Sequence, residues 1–245
     1  MATQVKEKGR FEMWKDGLNK GSRQAKWHSY DCEIKSAINE FDRHLTGTAG
    51  YTKLDWRLVK AMLWVETGAG NAEWRIKPMQ IGVVGDPGLS ALLSGNEGGD
   101  IIMPPDLKEN LNFNNARAIP AYNIRAGIAY LLMRMAKFKH QSVMTSDLKT
   151  YEAPINRGDN MTRIAVTYGT TTEILRKLNP QAAILRPGQV LLYRKGTVKR
   201  VIVGWHTITV PEVAKLYNGG GDARYAQKLS FALELIKCGV EATCD

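Results

Sequence analysis

The chain has 245 residues, 44% of them hydrophobic, and a net charge of +10. That length and composition belong to a globular protein with one ample core, or a core plus a small module. No run approaches the length of a membrane-spanning helix, so no membrane insertion is expected. The charge favours a polyanionic partner such as nucleic acid, acidic lipid or a bacterial envelope polymer.

The N-terminus lacks the apolar stretch of a secretory signal, so synthesis in the cytoplasm is expected, with any work elsewhere requiring a dedicated route. Residues 1–27 are polar and weakly periodic, an irregular or partly helical lead. Ile34, Ala37, Ile38, Phe41 and Leu45 recur at helical spacing and predict a helix over 29–45, broken by Gly47 and Gly50. Leu58, Val59, Met62, Leu63 and Val65 predict the next over 54–66, with Gly68 and Gly70 as terminators. Glu66 then sits in the last turn, at the negative end of the helix dipole and next to Trp64 and Val65 in sequence. Dipole and desolvation both favour its protonated form, and a carboxyl of raised pKa can serve as a general acid.

The stretch 68–120 is rich in Gly, Pro, Asn and Asp, with a helical piece near 89–93 and turns at Asp86-Pro87-Gly88 and Pro104-Pro105. A loop of that length inside a domain is expected to be functional. Ile124, Gly127, Ile128, Leu131, Leu132 and Met135 predict a buried helix over 122–138, Gly127 allowing close approach of a neighbour. The texture then changes. Strands over 151–156 and 190–193 flank helices over 161–168 and 172–178, with turns at 157–159 and 187–188, making a βααβ unit. A β-like stretch follows at 198–203, then a helix capped by Thr209 with Pro211 and Glu212 in its first turn. It leads into Tyr217-Asn218-Gly219, and a last helix covers 225–237. Cys238 and Cys244 could pair in an oxidising compartment, leaving Cys32 odd, or all three thiols could stay reduced. His28, His44, His140 and His206 show no ligand spacing with the cysteines, and Gly219, Gly220 and Gly221 lead into no phosphate-loop signature. No metal, cofactor or nucleic-acid partner is expected.

Glu66-Thr67-Gly68, Met79-Gln80-Ile81-Gly82, Asn123-Ile124 with Gly127, Tyr130 and Leu131, and Tyr217-Asn218-Gly219 resemble, in that order, the motifs of lytic transglycosylases and goose-type lysozymes. The resemblance implies that Glu66 is the catalytic acid and that Met79, Gln80, Tyr217 and Asn218 bind substrate, the Tyr-Asn pair also orienting the glutamate. Lys77-Pro78 stands where that family usually has Gly-Leu. Residues 151–195 resemble a LysM module through Gly158-Asp159, Ile164-Ala165, Tyr168-Gly169, Leu178-Asn179 and Leu185-Arg186-Pro187-Gly188-Gln189. That resemblance implies binding of N-acetylglucosamine-containing chains in a shallow groove between the loops at 158–162 and 179–185, with Gly158, Asp159, Asn179 and Pro180 as candidates.

The expected fold is therefore α+β, a mainly helical lysozyme-like domain (1–150 and 196–245) interrupted by a LysM module (151–195). The expected reaction is cleavage of the β-1,4 bond between N-acetylmuramic acid and N-acetylglucosamine. One route is a one-carboxylate transglycosylase. The other is a hydrolase whose second carboxylate would be Glu73, Asp86, Glu97 or Asp100. Rival readings are a noncatalytic peptidoglycan-binding protein and a chitin-directed glycosidase. A wall-degrading enzyme without a secretory signal fits, by analogy, an antibacterial toxin delivered to a target's periplasm by a type VI apparatus, with a secretion component and an immunity protein as partners, or a phage-related lysin.

Overall fold

Apolar residues spaced three and four apart build helices along most of the chain, in the order α1 (Arg10–Gly21), α2 (Asp31–Leu45), α3 (Trp56–Glu66), α4 (Gly88–Ser94), α5 (Gly99–Ile102), α6 (Pro105–Asn110), α7 (Phe113–Ala118) and α8 (Pro120–Met135). Strands β1 (Ala136–Met144) and β2 (Tyr151–Pro154), helices α9 (Met161–Tyr168) and α10 (Thr172–Leu178), strands β3 (Val190–Tyr193) and β4 (Gly196–Trp205), and helices α11 (Val210–Leu216) and α12 (Tyr225–Lys237) follow. The structure, a computed structural model, describes residues 9–239 and 244. It is a mixed α+β chain, mainly helical with small sheets. Two compact units share it: Met1–Lys137 with Val203–Asp245, and Phe138–Ile202.

The centre of the first unit is α3. Asp55 starts it by accepting from the Arg57 amide at 2.9 Å, and Gly68 ends it, its amide reaching back to the Leu63 carbonyl at 3.1 Å with φ at 69°. Leu58, Val59, Ala61, Met62, Leu63 and Trp64 are all buried, so α3 is surrounded, and α12 packs along it most extensively. Lys60 is buried too. Its ammonium donates to Asp31 of α2 at 2.7 Å and lies 2.7 Å from His28 Nδ1, with the Trp56 and Trp64 rings each 5.4 Å away. His28 Nε2 lies 2.8 Å from the Ser22 carbonyl, which assigns the proton to Nε2 and leaves Nδ1 to accept from Lys60. Burial pulls the Lys60 pKa down while Asp31 holds it up. A buried pair of this kind fixes the register of α2 on α3, because losing either partner strands a charge.

In the second unit β2 and β3 pair antiparallel, Tyr151 opposite Tyr193 and Pro154 opposite Val190. Ala153, Ile155, Ile164, Ala165, Leu175, Ala182, Leu191 and Tyr193 form its core. β1 pairs with β4 as a separate two-stranded ribbon. Gly196 opens β4 where any side chain would strike Ile174, whose Cδ1 would be 2.2 Å from a Cβ.

The structure departs from the sequence reading in three places. The helix expected over 122–138 stops at Met135, because its apolar period ends there and the following residues pair with β4. The stretch 68–120 holds four short helices, α4–α7, interrupted at Gly95, Gly98 and Pro104 and restarted by a capping box between Asn112 and Asn115. The cysteine pairing also differs. Cys32, in the first turn of α2, is bonded to Cys244, with Cα atoms 5.5 Å apart, while Cys238 is free and exposed. Cys238 still follows the turn of α12, its amide donating to Glu234, and so faces solvent.

The disulfide spans 212 residues and joins the two chain segments that make up the first unit. Cys32→Ser should therefore cost about 2–5 kcal/mol of stability. The drop in melting temperature should be reproduced by reducing the wild-type chain, and equal melting of oxidised and reduced protein would contradict it.

Candidate functional site

Glu66 closes α3 with its carboxyl at the helix C-terminus, only partly exposed. Tyr225, the first residue of α12 and 3% exposed, donates its hydroxyl to Glu66 Oε1 at 2.7 Å. Desolvation is the main cause that pushes the Glu66 carboxyl up to about 7, and the charges of Asp86 and Asp222 add to it; the Tyr225 hydrogen bond and Lys228 pull the other way. Lys228 is itself held by Asp222 at 2.7 Å. The Trp64 indole faces elsewhere, its Nε1 donating to the Trp27 carbonyl at 2.9 Å, so the side chains placed on Glu66 come from the other end of the chain. Tyr225 was not singled out in the sequence. Its signal there is that Tyr225, Leu229, Ala232 and Ile236 share one buried face of α12.

The segment 79–88 is folded against α8. Asn123 is fully buried and satisfied: its Oδ1 accepts from the Met79 amide at 2.9 Å, and its Nδ2 donates to Ile81 at 3.0 Å and Ala116 at 2.7 Å. One turn further along α8, Gly127 leaves room for the Met79 side chain, which would lie 2.7 Å from a Cβ there. Met79 is thus a packing residue at 1% exposure. Gln80 has φ of 53° and donates its amide to Thr67 Oγ1 and the Lys77 carbonyl, each at 3.0 Å, which ties this turn to the residue after Glu66. A non-glycine residue held in the left-handed region is strained, and such strain concentrates at functional sites.

Tyr217 Oη lies 3.4 Å from the Met79 carbonyl, and its ring packs edge-on against Tyr130 with centroids 5.5 Å apart. Burial raises its pKa, and the Glu66 charge raises it further. With its amide oxygen turned to the following loop, Asn218 accepts from Gly221 at 3.2 Å and Asp222 at 3.0 Å. It shapes the turn that delivers Asp222 and Tyr225, and the direct hydrogen bond to Glu66 is made by Tyr225. Among the four carboxylates considered as partners, Glu73 pairs with Lys77 at 2.7 Å and Glu97 with Arg134 at 3.2 Å, while Asp100 is exposed on α5. Asp86 is the one whose charge reaches Glu66, and both its oxygens are engaged, by the Gly82 amide at 2.9 Å and the Gly88 amide at 2.8 Å. A cavity of about 370 Å³ elsewhere in this unit is lined by Glu33, Glu40, Asp106 and Arg125, and there the Arg125 guanidinium is tied to Glu33 and Glu40.

In the second unit Met161 and Leu185 pack on the same core, and the Ile155 backbone exchanges hydrogen bonds with Gln189 and Gly188, which ties the end of β2 to the turn before β3. Gly158 and Pro180 are exposed there, with Ile184 at 75%. The Asp159 carboxylate accepts from the Asn156 amide at 2.7 Å and shapes the first loop. Asn179 is buried, clamping β3 through the Leu192 amide at 2.8 Å and carbonyl at 2.7 Å, so its side chain is taken up by the fold. Residues 155–192 match the LysM domain family, and this segment is a LysM domain, a class that binds peptidoglycan or chitin. No curated protein and no solved structure matches the chain. No metal-holding cluster of His, Cys, Asp and Glu occurs among the described residues, and no helix among them is long and apolar enough to cross a membrane.

The Glu66 environment has a cost with a definite sign. Its carboxyl lies above the ordinary 4.5, so the folded chain holds that proton more tightly than the unfolded one. The stabilisation is fully present below pH 4.5 and is lost as the pH rises through about 7. Glu66→Gln removes the penalty of ionisation. Above pH 7 the variant should be the more stable by about 3 kcal/mol, converging with wild type towards acid. Thermal melts across that range check this, and parallel curves would contradict it.

Proposed function

We propose that the helical unit cleaves peptidoglycan glycan strands at the β-1,4 bond between N-acetylmuramic acid and N-acetylglucosamine, while the LysM domain holds the polymer. The observation that carries this reading is a carboxyl pushed up to about 7, hydrogen-bonded by one tyrosine, in a chain that also carries a peptidoglycan- or chitin-binding domain. At neutral pH such a group retains a proton to give and can take one back.

The engagement of Glu73, Asp86 and Glu97 favours the route that needs one carboxylate. In it the bond from the muramoyl anomeric carbon to the bridging oxygen breaks, and that oxygen takes the Glu66 proton. The ionised Glu66 then accepts the proton of the muramoyl 6-hydroxyl as its oxygen bonds to the anomeric carbon. A 1,6-anhydro ring forms, no water is consumed, and the acid is restored. The +10 charge favours an anionic wall polymer over neutral chitin. A disulfide bond persists where the surroundings are oxidising, which supports action outside the cytoplasm. The reading extends to a toxin delivered into a rival's periplasm, with an immunity protein as its counterpart.

Glu66→Gln should abolish clearing of purified sacculi while binding to them persists. Wild-type products should be lighter by one water than hydrolysed ends, and kcat/KM should fall about tenfold per pH unit above the Glu66 pKa. Undiminished clearing by the variant removes Glu66 from the reaction, and no clearing by the wild type leaves a binding protein.

A further inference from the structure

The first and last helices meet in a strip of rings and cations that begins one residue from Tyr225. In α1, Phe11 and Trp14 stack with centroids 6.0 Å apart and planes 8° from parallel, and Phe231 of α12 lies 6.1 Å from Trp14. Cations cover these rings. Lys15 Nζ stands 5.0 Å from Phe11 and 5.8 Å from Phe231, the Arg224 guanidinium 5.2 Å from Phe11, and Lys228 Nζ 5.7 Å from Trp14. Glu12 meets Lys15 at 2.7 Å, and Asp222 meets Lys228 at 2.7 Å.

The strip is tied to Glu66 at one end, since Lys228 acts on that carboxyl through its charge and Arg224 immediately precedes Tyr225. All three rings remain partly exposed and Arg224 is exposed. Here aromatic faces and cations stay at the surface together, the pairing that suits a pyranose with acid groups, because a ring can lie against the sugar's apolar face while the cations meet its carboxylates.

We propose that Phe11, Trp14 and Phe231, with Lys15, Arg224 and Lys228, form a glycan subsite that selects carboxylate-bearing strands over neutral ones. The carboxylates can come from peptide stems or from lactyl groups bared when stems are removed. The subsite's meaning in the reaction rests on the glycosidase reading of Glu66, but its affinity can be measured without any cleavage.

The test uses the full chain carrying Glu66→Gln, so that no strand is cut, and measures affinity for stem-bearing glycan strands, amidase-stripped strands and chitin oligomers. Trp14→Ala and Arg224→Gln should each lose about fivefold on carboxylate-bearing strands, the scale of one exposed stacking or ionic contact. Binding of chitin oligomers, which the LysM domain can take, should not change. Loss on stem-bearing strands alone assigns the carboxylates to the stems, loss on stripped strands alone assigns the bared lactyl groups, and loss on both shows that either carboxylate is taken. Unchanged affinity for both anionic polymers, or an equal loss on all three, overturns the proposal. Arg224→Gln changes an exposed side chain at the start of α12, so it keeps the test valid if Trp14→Ala fails to fold. Absence of product from wild type would instead mark the failure of the glycosidase reading.

Discussion

The hydrogen bond from Tyr225 to Glu66 joins side chains 159 residues apart, one from each segment of the helical unit. Its geometry requires that α12 lie along α3, which is the most extensive helix packing in the chain. Removing the carboxyl from water raises its pKa, and the tyrosine only partly offsets that. The folded state accepts this cost because α3 is anchored on its other side by the buried Lys60–Asp31 pair and by tryptophan packing. A partly desolvated acid is therefore held in place by packing and hydrogen bonds drawn from both segments.

The two segments that make this site are separated in the chain by a LysM domain. Placing 65 residues between Lys137 and Val203 would weaken the association of the two segments if packing alone held them. The Cys32–Cys244 bond supplies a second connection, so the helical unit is closed covalently on both sides of the insertion. The chain enters and leaves the LysM-bearing unit through β1 and β4.

Much of this was legible in the residues. The apolar spacing located α2, α3, α9, α10 and α12 to within a few positions, and the end of α3 at Gly68 placed Glu66 in a last turn where a raised pKa was expected. The LysM segment was legible because its glycines and apolar pairs mark a short repeat of elements that barely make a core alone. What was not legible is long-range. Nothing local marks Tyr225 as the partner of Glu66, or Cys244 as the partner of Cys32 rather than of Cys238. Asp86 and Asn179 read as ligand-facing polar residues, yet backbone amides and carbonyls claim both, because a turn and a strand end need partners for their own donors and acceptors.

The account depends on one carboxyl that resists ionisation because α12 covers it. Carbon-13 NMR titration of the Glu66 side-chain carboxyl in the intact, oxidised chain measures this directly. A midpoint near 7 is predicted. A midpoint at the ordinary value of about 4.5 would show a carboxyl open to water and contradict the account.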